Sequence, residues 1–108
     1  MKFTHSRELQ QRSHQLIPGG AHTYAKGDDQ YPENAPGFIV RGKGSHVWDV
    51  DGNEFIEYGM GLRSVTLGHG FPAVVEAAYQ AMQQGINFVR PSPLEVELAE
   101  KMLSLIPA

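Results

Sequence analysis

The sequence predicts a mixed α/β chain, α+β within its own 108 residues, with one helix before a three-stranded antiparallel meander and two helices after it. Three observations carry this. Residues 38–41 ("FIVR"), 45–50 ("SHVWDV") and 54–58 ("EFIEY") are rich in β-branched and aromatic side chains and are separated by "GKG" and "DGN". Ser92, Pro93 and Glu95 form the S-x-x-E capping box with proline at the first helical position. The 12 glycines and 7 prolines cut the rest into short elements, and no internal repeat or low-complexity tract is visible.

In chain order, the spacing of Leu9, Leu16 and Ile17 predicts a helix over residues 6–17, stopped by the "PGG" at 18–20. Residues 21–37 lack a sustained period and read as an extended connector, so residues 1–37 form a helix and arm. Residues 38–58 are the meander. In its second strand Val47 and Asp49 share one face and Trp48 and Val50 the other; in the third, Ile56 and Tyr58 oppose Phe55 and Glu57.

Asp51 and Gly52 fall where a tight turn needs residues tolerant of positive φ, and Asp49, Glu54 and Glu57 then read as solvated strand or turn positions. Residues 59–71 are a glycine-spaced connector carrying Arg63 and His69, the histidine expected to cap the next helix. That helix opens at Pro72, aligns Val74, Ala78 and Met82 on one face, and ends near Gly85. The capped helix follows with the stripe Leu94, Leu98, Met102 and Leu105, and stops before Pro107.

Composition narrows the functions. Nine Lys+Arg against 12 Asp+Glu give a net charge of -3 with no basic block, so nucleic acid is not an expected partner. Zero cysteines remove disulfides, thiolate metal sites and a cysteine nucleophile. No segment approaches the roughly 18 to 20 apolar residues that span a bilayer, so the chain reads as soluble, without a membrane partner, and cytoplasmic.

Motif by motif, the loop at 49–60 fails as a calcium site because Gly52 arrives two places early and position 12 is Met60. "GFIVRGKG" at 37–44 approaches the phosphate-loop pattern, but its four intervening residues look like a strand and another strand follows, where a phosphate loop must open a helix. The five histidines offer no H-x-x-x-H or H-x-H pair, so no metal site is assigned.

Taken together, "LIPGG", "GFIVRGKGSHVWDVDGNEFIEY", "LGHGFPAVVEAA" and "PSPLEVELAEKMLSLIP" resemble the N-terminal region of class III pyridoxal-phosphate aminotransferases, especially glutamate-1-semialdehyde aminomutases, from Leu16 onward. The resemblance implies a fold-type I enzyme of much greater length. Residues 38–58 would lie in its small domain, 59–71 would face the active site, and 72–108 would lead into the large cofactor-binding domain. It also implies pyridoxal 5'-phosphate as cofactor, an amino-compound substrate and a homodimer. The Schiff-base lysine and phosphate-binding turn lie downstream in the family, and Lys2, Lys26, Lys43 and Lys101 stand in segments that do not match the Schiff-base segment. No catalytic or cofactor-binding residue is therefore assigned here, and the 108 residues alone are expected to be inactive.

Two segments would still meet substrate. In "AHTYAK", with Tyr24 and Lys26, Lys26 replaces an Arg that the aminomutases resemble one another in carrying for the substrate carboxylate. In "GMGLR", Leu62 replaces a Trp and Arg63 is a candidate anion contact. These departures favour an aminotransferase acting on another amino compound. The alternative is a free-standing interaction module derived from the same region, which would unfold cooperatively as a soluble species.

Overall fold

The computed structural model describes residues 1–107, which fall into two units, Met1–Pro72 and the described residues from Ala73 onward.

The first unit opens with α1, Thr4–Leu16. It ends where Ile17 turns extended and Gly19 takes φ 77°, a conformation glycine reaches without a Cβ penalty. The expected extended connector instead contains two short 3-10 turns, Tyr24–Lys26 and Asp28–Gln30, each closed by a backbone bond back to its own first residue. Local bonds satisfy the backbone there in place of a strand partner.

The meander forms in the order β1-β2-β3, with β1 Ile39–Lys43, β2 His46–Asp49 and β3 Glu54–Ile56, both pairings antiparallel. β1 starts later and runs further than the pattern predicts: Gly42 and Lys43 pair with Val47 and His46, so most of "GKG" is strand. Pairing also slips between Ile39 and Arg41, which leaves Val40 as an extra, exposed residue on the edge strand. Residues 37–44 thus lead into strand pairing, which disposes of the phosphate-loop reading.

Val47 and Asp49 are both buried, at 3% and 1% exposure, as the alternation of β2 predicts for one shared face. The solvated reading of Asp49 is wrong. Its carboxylate accepts N–H bonds from Asp51 (3.0 Å) and Asn53 (2.7 Å) and a side-chain bond from Asn53 (2.8 Å), so it is paid for by the turn it organises.

That turn also holds α1. Asp51 Oδ1 and Oδ2 accept from the backbone N–H groups of His5 (2.8 Å) and Ser6 (3.0 Å), while Asn53 Nδ2 donates to the Lys2 carbonyl (2.9 Å). The helix has no side-chain cap of its own, so a residue 46 positions away supplies it. Desolvation pushes the Asp51 carboxyl up, but the bonds from Ser6 and His5 and the charge of His5 together outweigh it and hold it below its ordinary value.

Two C-terminal helices follow, α2 Pro72–Met82, which opens on the last residue of the first unit, and α3 Pro93–Leu105. Gly85 follows α2 at φ 105° and bonds back to the Met82 carbonyl. α3 has both halves of the capping box: Ser92 Oγ accepts from Leu94 N, and Glu95 Oε1 accepts from Ser92 N at 3.0 Å. Leu94, Leu98, Met102 and Leu105 are all exposed, between 47% and 65%, so the apolar stripe of α3 is left uncovered by the described residues.

Candidate functional site

The connector after β3 is where the backbone departs furthest from ordinary geometry. Met60, Gly61, Leu62 and Arg63 have φ of 39°, 58°, 57° and 71°, which makes Met60–Arg63 one turn of left-handed helix. At roughly 1–2 kcal/mol for each non-glycine residue, the three side-chain-bearing positions together cost about 3–6 kcal/mol. Such strain persists only where surrounding contacts over-determine it.

Some of those contacts are local: Arg63 N donates to Gly59 O (2.8 Å), Val65 N to Met60 O (3.1 Å) and Ser64 Oγ to Gly61 O (2.6 Å). Another comes from the end of β3, where Glu57 Oε1 accepts from Gly61 N at 3.3 Å. The other carboxylate oxygen of Glu57 meets His69 Nε2. Glu57 is therefore a half-buried anchor and not a solvated strand residue. His69 has the structural part expected of it but does not cap α2; its ring is engaged by Glu57, and its backbone exchanges two hydrogen bonds with Gly44 (2.8 and 2.9 Å).

Glycine makes that approach possible. A Cβ on Gly42 would stand 2.6 Å from His69 Cγ, and one on Gly68 would stand 3.1 Å from Gly44 Cα.

The four residues read as substrate-facing fall on two turns. Tyr24 and Lys26 share one 3-10 turn; Tyr24 is 77% exposed, and Lys26 is exposed as well. Leu62 and Arg63 share the left-handed turn and are exposed. No hydrogen bond or ion pair among the described residues joins one turn to the other. The ion pairs among these residues are all histidine to carboxylate: His5–Asp51, His14–Asp28, His46–Glu54 and His69–Glu57. Lys26 and Arg63 thus keep their charges free of any carboxylate of the described residues, as an anion contact requires.

The chain matches the family model for class-III aminotransferases over residues 27–108. It belongs to the class-III aminotransferase family.

Among curated relatives, it is 36% identical over 108 residues to a glutamate-1-semialdehyde 2,1-aminomutase of Thermodesulfovibrio yellowstonii, covering 100% of this chain and 25% of that relative. To the enzyme of the same name from Polaromonas naphthalenivorans it is 39% identical over 100 residues, 93% of this chain and 22% of the other. The likeness extends to solved structures. A transaminase with pyridoxal phosphate bound superposes with a TM-score of 0.83 at 34% identity, covering 96% of this chain and 24% of that one. A β-phenylalanine aminotransferase from Variovorax paradoxus gives 0.82 at 26% identity, with 96% and 23% covered. The chain thus spans about a quarter of the length of the curated class-III relatives it matches.

One cavity among the described residues is a poor seat for a phosphorylated cofactor. The cavity in the first unit, about 360 Å³, is lined by His14, Asp28 and Asp29 among others, and its carboxylates oppose a phosphate. All four lysines are exposed, and none lines that cavity.

Of the residues that shape the site, sequence reasoning missed Glu57 as the anchor of the strained turn and Asp51 as the cap of α1. Asp49 had a legible signal, since an Asp followed two residues later by a turn is the Asx pattern.

Proposed function

We propose that the chain acts as the N-terminal quarter of a pyridoxal-phosphate-dependent class-III enzyme that transfers an amino group, or isomerises an amino aldehyde as the aminomutases named above do. Alignment of all 108 residues with a quarter of one of those aminomutases, together with a TM-score of 0.83 to a cofactor-bound transaminase, is the observation that supports it most directly. In this reading residues 1–37 are an N-terminal arm, 38–58 belong to the small domain, 59–71 face the active site and 72–108 lead into the large domain. The enzyme is a cytoplasmic homodimer.

The cofactor, when bound, stores electrons as the amino group changes hands, and it is held by residues outside this segment. The segment itself lends a wall to the substrate. Lys26 attracts a carboxylate as a point charge, Arg63 offers a second cation, and Tyr24 and Leu62 supply apolar surface. Lys26 cannot grip a carboxylate with two parallel bonds, and Leu62 leaves room a larger ring would fill; both favour an amino compound other than glutamate-1-semialdehyde.

The exposure of Leu94, Leu98, Met102 and Leu105 supports a segment that docks on further polypeptide over a free-standing module. The test has two arms. The purified 108-residue chain should show neither transaminase turnover nor the visible absorption of a bound pyridoxal cofactor, and robust turnover would overturn this reading. Extending the polypeptide through the coding sequence beyond residue 108 should restore both, and a frame without a phosphate turn or Schiff-base lysine would overturn it as well.

A further inference from the structure

We infer that Glu57 and His69 are positioning residues for the substrate-facing turn: the pair clamps the left-handed Met60–Arg63 backbone to the meander and so fixes where Leu62 and Arg63 point. The inference rests on the proposed function above only for the statement that this turn faces substrate.

Three observations converge on the clamp. The turn is strained at Met60, Leu62 and Arg63, and its own bonds, Arg63 to Gly59, Val65 to Met60 and Ser64 to Gly61, all lie inside residues 59–65. Among the described residues, the bond from Gly61 N to Glu57 Oε1 is the hydrogen bond that ties it to a residue outside that stretch. Glu57 is in turn held by His69, whose position is fixed twice over, by two backbone bonds to Gly44 and by a ring resting where any Cβ on Gly42 would lie.

The chemistry suits the task. A carboxylate with two oxygens can accept from a backbone N–H and an imidazole N–H at once, and each bond holds the other in place. Glu57 also lies beside the sheet, because its own N–H bonds to Ser45 O at 2.8 Å. The strained turn is thereby referenced to the meander through one side chain.

Amide hydrogen exchange by NMR on the 108-residue chain tests the clamp, with Gly61 as reporter and Asn53, bonded to Asp49 at 2.7 Å, as the control for the meander. Glu57→Leu and His69→Leu should each speed exchange at Gly61 by about fivefold or more, the loss of one net hydrogen bond, with Asn53 unchanged. Glu57→Gln keeps one acceptor oxygen for the Gly61 N–H and turns its amide N–H toward His69 Nε2, which accepts in the tautomer protonated at Nδ1, so Gly61 exchange should stay near wild type. Unchanged Gly61 exchange in the leucine variants, joint acceleration of Gly61 and Asn53, or an unprotected Gly61 in the wild type would each overturn the clamp. In the extended polypeptide the same leucine variants should raise KM for the amino compound by about tenfold with kcat far less affected. Faster Gly61 exchange with an unchanged KM would uphold the clamp and overturn the substrate-facing reading instead.

Discussion

Replacing Gly42 by alanine tests how tightly the meander and residues 68–70 are joined. The added methyl would meet His69 at Cγ (2.6 Å), Cδ2 (2.8 Å) and Cβ (2.9 Å), all closer than ordinary van der Waals contact at 3.4 Å. Because two of those atoms belong to the root of the side chain, rotating the ring cannot clear them. Either residues 68–70 lift away, losing both backbone bonds to Gly44, or β1 bends. Overpacking of this kind costs about 1–3 kcal/mol, and each backbone bond lost adds about 0.5–1.5 kcal/mol. The cheaper route wins, so a net loss of about 2–3 kcal/mol is expected.

Gly44→Ala provides the comparison. Its Cβ meets nothing within 4 Å, but φ is 58°, so it pays only the left-handed cost, about 1–2 kcal/mol. Urea unfolding followed by the fluorescence of Trp48, which lies on β2 with the Arg41 guanidinium 3.5 Å from its ring centroid, reads both variants. A Gly42→Ala chain as stable as wild type, or more stable than Gly44→Ala, would refute the close approach of His69.

Four further outcomes follow. Because the folded-state pKa of Asp51 lies below its ordinary 3.8, its cap stabilises α1 above that value and is lost as pH falls through the lower folded value; helical circular dichroism should drop there, and Asp51→Asn should flatten the acid limb. Asp49→Ala removes a buried acceptor of three bonds and should cost about 2–3 kcal/mol in urea unfolding. Leu98→Glu and Leu105→Lys should suppress self-association of the isolated chain in light scattering, since each leucine, 63% and 65% exposed, offers about 1–2 kcal/mol of burial to a neighbour. In the extended polypeptide, Lys26→Arg should lower KM for carboxylate-bearing amino compounds severalfold through two-pronged binding, and an unchanged KM would remove Lys26 from the substrate wall.

The order helix, meander, two helices was legible in the sequence because each signal is local. Period-two alternation placed Val47 and Asp49 on one face, the capping box at Ser92 and Glu95 lies within four residues, and Pro72 marks its helix by its own fixed φ. The family, too, was legible, since its motifs are contiguous blocks. Tertiary structure alone decided what the carboxylates do. Asp51 reaches back 46 residues to cap α1, Asp49 is buried where exposure is the ordinary fate of an aspartate, and Glu57 finds His69 only after residues 68–70 come to lie beside Gly42 and Gly44 and Glu57 itself pairs with Ser45. The reason is physical: periodicity records which side of an element faces inward, whereas a carboxylate's partner is fixed by which distant N–H groups folding brings within hydrogen-bond reach. The left-handed turn at Met60–Arg63 belongs to the same class, because no propensity of Met, Leu or Arg calls for positive φ and only contacts made after folding can hold them there.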